Sequence, residues 1–161
     1  MTKTKYIEFG NRGFWAYDVA LGVFLKHLID AAEKSGQAKR AWLSTAISSW
    51  REVACISDYG LKLESGWSAA KRQAFIALAE VACARLAERA SIPAGEVGWP
   101  ILNDLSIHTR GAVEMHTAPV VELGRAIIEL VSGELPKAHD GEFWFYGTPT
   151  GRKTLGRRSS D

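Results

Sequence analysis

Apolar residues between positions 68 and 90 recur at spacings of three and four, the longest uninterrupted pattern of this kind in the chain. Such spacing places one stripe of side chains along a helix. The stripe consists of Phe75, Leu78, Ala79, Ala82 and Leu86. Alanine is frequent on the rest of the segment, so neighbouring helices can approach it closely. We therefore expect a central helix here, with Ser65 or Ser68 as its N-cap.

Two more helical patterns precede this segment, over residues 14–34 and 39–56. In the first, Asp18 lies at the edge of the apolar stripe, so its carboxylate must reach solvent or bind a donor from an arginine, a tryptophan indole or the backbone. A ligand-facing acid is the alternative for Asp18. In the second, Trp42 and Trp50 share one stripe, which favours stacked core aromatics over an aromatic binding groove.

The chain between the central helix and residue 116 has no clear period. Residues 91–100 contain two prolines and two glycines, which indicates an irregular connection. Residues 101–116 fit either a hairpin that turns at Arg110-Gly111 or a short helix followed by an extended piece, and both stay open. Thr117 then has the features of an N-cap, with Pro119 in the first turn, and opens a helix that runs to about Ser132.

Alternating residues predict short strands near both ends of the chain, over residues 6–9 and 142–147, and a turn over residues 10–13. Because an isolated strand is unstable, we expect the two termini to share a small sheet that packs on the helices. The expected fold class is mainly α. It is a single-domain helical bundle of about four main helices, with a small β element formed by terminal or hairpin strands.

Length and charge define the expected domain organisation. The 161 residues suffice for one domain with a substantial core. We expect a flexible leader over residues 1–5, a globular helical domain over residues 6–147 and a basic, disordered tail over residues 148–161. The leader and the tail carry the excess positive charge, so the domain between them is mildly acidic. This distribution argues against a nucleic-acid binder, which carries basic residues along a folded face.

Composition narrows the class of protein further. Hydrophobic residues make up 47% and charged residues 24% of the chain, as in an ordinary globular protein, but six tryptophans provide more aromatic surface than average. No apolar run reaches the ~18 to 20 residues of a membrane span, and the N-terminus lacks the apolar core of a secretory signal. Cys55 and Cys83 have no metal-like spacing. We expect a cytoplasmic protein with reduced thiols, with one disulfide between two helices as the alternative.

Candidate chemistry is sparse. His108 and His116, with Glu114 and Asp104 nearby, resemble metal ligands, but their spacing is irregular, so we expect no metal and no cofactor. The turn over residues 10–13 lies between a strand and a predicted helix, as an anion site would, yet it lacks the P-loop lysine and the three-glycine dinucleotide pattern. No catalytic motif is recognisable, which argues against an enzyme, although catalytic sites also assemble from residues far apart in sequence.

Aromatic, arginine and amide side chains concentrate in the predicted loops and turns. This combination is typical of the residues that dominate protein interfaces. If these loops meet at one end of the bundle, they form a partner-binding surface. The predicted surface comprises Asn11, Arg12, Trp15, Trp99, Asp104, His108 and Arg110.

The resulting hypothesis is a protein-binding module, in one form an inhibitor or immunity-type protein that neutralises a partner toxin or enzyme. The identity of the partner does not follow from the sequence, and exposed aromatics would equally serve a homodimer. The alternative is a small-molecule-binding protein or small enzyme with a pocket near Trp15, Asp18, Trp99 and His108. Nucleic-acid binding through the basic tail is the least favoured hypothesis.

Overall fold

The computed structural model describes residues 4–56, 60–96, 101, 105–107 and 109–156. Over these residues the chain forms four α-helices, a five-stranded mixed sheet and a two-stranded sheet. The expectation of a mainly α helical bundle is therefore wrong, because the fold is mixed α/β. The elements are β1 (Thr4–Phe9), β2 (Arg12–Tyr17), α1 (Asp18–Lys34), α2 (Ala41–Cys55), β3 (Leu61–Leu63), α3 (Ala69–Ala87), β4 (Ser91–Pro93), β5 (Glu114–His116), α4 (Thr117–Ser132), β6 (Glu142–Tyr146) and β7 (Lys153–Gly156).

The first two strands account for much of this difference. β1 and β2 form an antiparallel hairpin in which Ile7 lies opposite Phe14 and Tyr6 lies opposite Trp15. Gly10 in the turn has φ 63, a left-handed conformation that glycine adopts without steric cost. Ile7 and Phe14 are fully buried, whereas Tyr6 and Trp15 are partly exposed, so each strand has one core side and one outer side.

The helix predicted from residue 14 begins at Asp18 instead. Residues 14–17 are the end of β2, where Phe14 and Ala16 are buried and the residues between them are not. Phe14 and Tyr17 are three residues apart, so they also fit the helical pattern that follows them. A short apolar strand next to a helix cannot be separated from that helix by periodicity alone.

The five-stranded sheet joins the two ends of the chain, as expected. Its strand order is β3-β1-β2-β6-β7. β2 and β6 pair in parallel, with Trp15 opposite Phe145 and Ala16 opposite Tyr146. β3 pairs in parallel with β1 at one edge, and β7 pairs antiparallel with β6 at the other. The sheet is thus a full layer of the fold rather than a minor addition to a bundle.

Both ends of the described chain contribute strands where leader and tail were expected. Lys5 belongs to β1, and its buried ammonium donates hydrogen bonds to the carbonyls of Val53 and Ile56 at the end of α2. Residues 153–156 form β7. All four residues of β7 are exposed, so the strand is held mainly by backbone pairing with β6, and a four-residue exposed segment gives no pattern of buried positions. Residues 1–3 and 157–161 lie outside the described residues.

The helices pack together and cover one side of the sheet. α3 contacts α1 and α4, and these two helices contact the strands. α3 confirms the predicted central helix, because its stripe from Phe75 to Leu86 is buried and the Ser68 hydroxyl accepts the Lys71 backbone N–H at 3.2 Å. No helix among the described residues is long and apolar enough to cross a membrane.

The tryptophans of α2 are part of the hydrophobic core, as predicted. Trp50 is buried, and its ring centroid lies 5.9 Å from that of Phe75. Trp42 is half-buried and contacts Trp67 at 5.3 Å. These edge and tilted contacts are the arrangements that aromatic pairs prefer in cores.

The two-stranded sheet occupies the region that had no clear period. β4 and β5 pair antiparallel, and Ile92 lies opposite Met115 with both side chains buried. The turn expected at Arg110-Gly111 is present, with φ 53 and 78, but the strand that follows it pairs with β4. Residues 97–100, 102–104 and 108 lie outside the described residues, so the choice between a hairpin and a short helix over 101–116 stays open for them.

α4 begins and ends close to its predicted bounds. Thr117 is its first helical residue rather than its N-cap, and the Thr117 hydroxyl donates to the Arg89 carbonyl after α3. Gly133, with φ 79, ends the helix. Gly124 lies at the contact with α3 and α1, where a Cβ would come within 2.6 Å of Cys83 Sγ and of Phe24 Cε2.

Candidate functional site

The side of the five-stranded sheet that points away from the helices carries a row of aromatic residues. Tyr6 on β1 lies opposite Trp15 on β2, and Trp15 lies opposite Phe145 on β6. The ring centroids of Tyr6 and Trp15 are 5.1 Å apart, and the rings are tilted by 60°. Because residues directly opposite on neighbouring strands share a face, the three rings lie side by side across three strands.

A second apolar pair lies beside this row, two residues along the strands. Phe143 on β6 lies opposite Leu155 on β7, and these residues are 48% and 39% exposed. Gly13 on β2 leaves room for the Tyr6 ring, since a Cβ at Gly13 would lie 2.7 Å from the Tyr6 hydroxyl oxygen. Together these side chains form one apolar surface, which we call the open face. It consists of Tyr6, Trp15, Phe143, Phe145 and Leu155.

The open face is separate from the hydrophobic core. On the same strands, Ile7, Phe14 and Tyr146 are buried and belong to the core cluster. They alternate with the residues of the open face, as the pleat of a strand requires. α1 and α4 contact the sheet on the side of the buried residues, whereas the rings of the open face keep part of their surface in solvent.

Charged side chains border the open face. Glu8 on β1 lies opposite Lys62 on β3, and Lys153 on β7 lies opposite Phe145. Burial and, to a smaller extent, the charge of Glu8 raise the pKa of Tyr6 above its ordinary value, so the Tyr6 hydroxyl stays protonated and can donate a hydrogen bond. The surface therefore has an apolar centre, one phenol hydroxyl and a lysine at each edge of the sheet.

Arg12, a member of the predicted partner-binding surface, stabilises the end of a helix. Its guanidinium donates to the carbonyls of Gly133 and Leu135, at 3.5 and 2.5 Å. These carbonyls follow α4, where a cation also interacts favourably with the helix dipole. The neighbouring Asn11 is exposed in the turn between β1 and β2. Among the predicted partner-binding residues that the structure describes, Trp15 is the one that lies on the open face.

Arg110 binds Asp18. Its Nε donates to both carboxylate oxygens of Asp18, at 3.1 and 3.0 Å, and its Nη2 donates to Oδ2 at 2.5 Å. The Arg110 and Asp18 side chains are 12% and 8% exposed. Asp18 therefore has an arginine partner, one of the structural bonds that the sequence allowed. Arg110 is bound at Asp18, the residue that follows β2, whereas Arg12 is the first residue of β2. The two ends of this strand are roughly 20 Å apart, so the two predicted arginines do not form one surface.

Trp99, Asp104 and His108 lie outside the described residues. Their part in a partner-binding surface stays a prediction, as does the pocket expected near Trp15, Asp18, Trp99 and His108. In the described part of that pocket, Trp15 contacts Tyr6 on the open face and Asp18 is bound by Arg110.

The metal-like cluster is described only in part. Glu114 and His116 are exposed residues of β5, and their spacing of two places them on one face of that strand. Asp104 and His108 lie outside the described residues. Within the ranges that the structure describes, no group of three or more His, Cys, Asp or Glu side chains is arranged to hold a metal ion.

The two cysteines are free thiols. Burial raises the pKa of Cys83 above its ordinary value, and the Cys83 thiol lies 3.9 Å from the Val121 carbonyl between α3 and α4. A thiol with a raised pKa is a poor nucleophile, because the thiolate is the reactive form. The Cys55 thiol lies 3.7 Å from the Leu105 carbonyl. The environment of Cys83 does not resemble that of a catalytic cysteine.

Periodicity alone does not single out Tyr6, Phe143, Phe145 and Leu155 as functional residues. A signal was nevertheless present in the two terminal segments, where apolar or aromatic residues occupy both faces of a predicted strand. In a helical bundle both faces would be assigned to the core. In a sheet covered by helices on one side, the second aromatic set remains in solvent.

The open face is a broad surface across several strands rather than a cleft that encloses a substrate. Its side chains offer apolar contact and one hydroxyl, with the charged groups at its border. Such a surface is suited to binding another molecule. Comparisons with protein-family models, curated proteins and solved structures found no match to this chain.

Proposed function

We propose that the protein binds another protein through the open face. The observation that carries the proposal is the row of Tyr6, Trp15 and Phe145 across three strands, outside the core. Contiguous apolar surface on a folded domain is typical of interaction sites. Aromatic side chains are enriched at such sites because each supplies a large contact area with few rotatable bonds.

The fold does not require apolar residues at the exposed positions of this surface. Threonine or a charged residue satisfies a solvent-facing strand position equally well, and charged residues on exposed strands also prevent aggregation. Phe143 and Leu155 nevertheless remain 48% and 39% exposed. A partner that covers these two side chains and the neighbouring rings would account for this arrangement.

The charges at the border indicate the chemistry of the partner. Lys62 and Lys153 lie at opposite edges of the sheet, on β3 and β7. A complementary partner has an apolar centre with acidic groups around it, which would speed association and fix its orientation. A single-stranded nucleic acid would also stack on aromatic rings, but it needs a basic groove along its backbone. The described face carries only two lysines, Lys62 and Lys153, and the negative charge of Glu8 lies between them. This positive charge is too small for a nucleic-acid backbone, so a protein is the favoured partner.

A pull-down from the lysate of the source organism tests this proposal, with chemical crosslinking to locate the contact. The test variant carries Trp15→Thr, Phe143→Thr and Phe145→Thr. The matched control carries Val81→Thr, Leu105→Thr and Val113→Thr, which replace exposed apolar residues elsewhere on the surface. We expect the unaltered chain and the control to retain one stoichiometric protein, crosslinked through Lys62 or Lys153, and the test variant to lose it.

Circular dichroism and thermal unfolding establish that both variants are folded before the pull-down is interpreted. Retention of the same partner by the folded test variant would refute the proposal. Recovery of nucleic acid in place of a protein would also refute the proposal. So would recovery of no other protein together with self-association of the chain, if the open-face changes abolish that self-association.

The inhibitor or immunity-type role is a narrower form of the same proposal. If the recovered partner is a toxin or enzyme, its activity should fall in proportion to the unaltered chain added and reach its minimum at a 1:1 ratio. The open-face variant should leave that activity intact. A partner that remains active in the saturated complex would exclude the inhibitor role and leave the binding function in place.

A further inference from the structure

A groove lies on the helix side of the molecule, away from the open face. Its walls are the end of α3, the outward side of α4 and the β6–β7 hairpin, and its volume is about 730 Å³. Small-molecule sites have volumes of roughly 300–1,000 Å³ and combine an apolar lining with a few polar groups. The side chains that line the groove include Ala118, Val121, Arg125, Glu129, Tyr146 and Arg152.

Arg152 is held in place on one wall. Its guanidinium carbon lies 4.3 Å from the centroid of the Trp144 ring, a cation–π contact. Its backbone N–H donates to Glu122 Oε1 at 2.7 Å, which ties the hairpin to α4. A guanidinium fixed by a ring and by its own backbone loses little conformational entropy when it binds an anion, because the ordering has already occurred.

Arg125 is a second cation, on the α4 wall. It is exposed, and among the described residues it has no hydrogen-bond or ion-pair partner. Arg89, which also lines the groove, is instead paired with Glu96 at 2.6 Å. Arg125 and Arg152 are therefore the two guanidinium groups of the groove without a carboxylate partner among the described residues, and Arg152 also donates a hydrogen bond to the Tyr146 hydroxyl. Guanidinium groups bind carboxylate and phosphate with two parallel hydrogen bonds.

The floor of the groove combines apolar and hydrogen-bonding groups. Val121 and Ala118 supply apolar surface, and the Tyr146 hydroxyl lies among the charged residues. Burial raises the pKa of Tyr146 above its ordinary value although Arg152 opposes this shift, so the phenol is protonated at neutral pH. The carboxylate of Glu129 on α4 can accept hydrogen bonds from a ligand. Its negative charge repels a second anionic group, so it disfavours a ligand that carries negative charge at both ends.

We propose that this groove binds a small organic anion, whose carboxylate or phosphate group lies between Arg125 and Arg152 and whose apolar part lies on Val121 and Ala118. A hydroxyl or amine on the ligand would donate to Glu129. This site is independent of the open face, since its residues belong to the opposite side of the sheet and to the helix layer. The protein would then respond to, or carry, a metabolite-sized ligand in addition to binding a partner.

NMR titration of the full chain tests this site with three probes: phenyl phosphate, phenyllactate and, as the uncharged control, benzyl alcohol. We expect at least one of the two anions to shift the backbone amide signals of Glu122 and Arg152 in a saturable manner, and benzyl alcohol to leave them unchanged. Arg125→Gln should weaken the anion's affinity about tenfold, because one charge-assisted contact is lost. Arg40→Gln, an exposed arginine before α2, serves as the matched control.

Arg125 has no described partner, so Arg125→Gln should keep the fold, and its amide spectrum checks this directly. An Arg152→Gln variant removes the other guanidinium group of the groove and tests its contribution to anion affinity in the same way. Absence of saturable shifts with both anions would overturn the proposal, as would equal affinities in Arg125→Gln and Arg40→Gln. The Trp15→Thr, Phe143→Thr, Phe145→Thr variant should bind the anion as the unaltered chain does, so failure at one site is distinguishable from failure at the other.

Discussion

Asp18 and Arg110 are 92 residues apart in sequence and form a nearly buried, two-pronged ion pair. Asp18 is the first residue of α1, where a carboxylate also interacts favourably with the helix dipole. Arg110 has φ 53, a left-handed conformation that costs a non-glycine residue about 1–2 kcal/mol. The pair thus fixes the irregular connection before β5 against the start of the first helix.

Loss of either partner of this pair should destabilise the fold. Arg110→Ala leaves the Asp18 carboxylate buried without its cation, and we expect a loss of roughly 3 kcal/mol in the free energy of unfolding. Asp18→Ala should cost a similar amount. The double variant should cost less than the sum of the two, because no unpaired charge then remains. Urea denaturation of the four proteins measures this coupling, and strictly additive losses would show that the pair contributes nothing.

Lys5 should contribute to stability through the end of α2. Its buried ammonium donates to the Val53 and Ile56 carbonyls, which lie at or just after the last turn of that helix. Lys5→Ala removes charge-assisted hydrogen bonds worth roughly 1.5–3 kcal/mol. Lys62→Ala, at an exposed position of β3, is the control and should change stability by less than about 0.5 kcal/mol. Equal unfolding midpoints for the two variants would contradict this role of Lys5.

Gly124 should not tolerate a side chain. A Cβ there would lie 2.6 Å from Cys83 Sγ and from Phe24 Cε2, so Gly124→Ala forces α4 away from α3 and α1. Overpacking of this kind costs about 1–3 kcal/mol, which outweighs the higher helix propensity of alanine. Gly66→Ala is the matched control, because a Cβ at Gly66 meets no atom within 4 Å. Thermal unfolding should show a lower midpoint for the first variant alone.

Sequence patterns could predict the helices and the two terminal strands over residues 6–9 and 142–147. α3 has its predicted stripe and its Ser68 cap, because a long helix repeats its signal over several turns. β2 was missed because its six residues run directly into α1, and their apolar spacing fits both elements. β7 was missed because its stabilisation comes from backbone pairing with β6, which leaves no pattern of buried side chains.

The candidate site depended on the part of the fold that was mispredicted. Trp15 was selected for its residue type. Phe145 belongs to the candidate site only because the strand register places it opposite Trp15, and the sequence does not show that register. Arginine is a residue type that is frequent at interfaces, yet both Arg12 and Arg110 bind groups of their own chain. Arg12 donates to the Leu135 carbonyl after α4, and Arg110 donates to the Asp18 carboxylate. Residue type cannot distinguish an arginine that binds a partner from one that binds its own fold, because both use the same hydrogen bonds.

His27 should make stability depend on pH. It is half-buried on α1 with Nδ1 2.8 Å from the Val23 carbonyl oxygen, and Lys26, Asp30 and Arg85 are the charged groups that act on it. Burial is the main reason that its pKa is lowered below the ordinary value near 6.5. The unfolded chain therefore binds a proton more readily than the folded one, and the stability contributed by neutral His27 is lost as the pH falls below about 6.5.

His27→Gln removes this proton uptake, so its stability should fall less steeply than that of the unaltered chain between pH ~7.5 and ~5.5. The difference in slope cannot exceed about 1.4 kcal/mol per pH unit, the limit for one proton. Urea midpoints at several pH values measure it, with His139→Gln, at an exposed position, as the matched control. If the stability gap between His27→Gln and the unaltered chain stays constant with pH, the buried imidazole is not what titrates, and the pH response must come from the carboxylates.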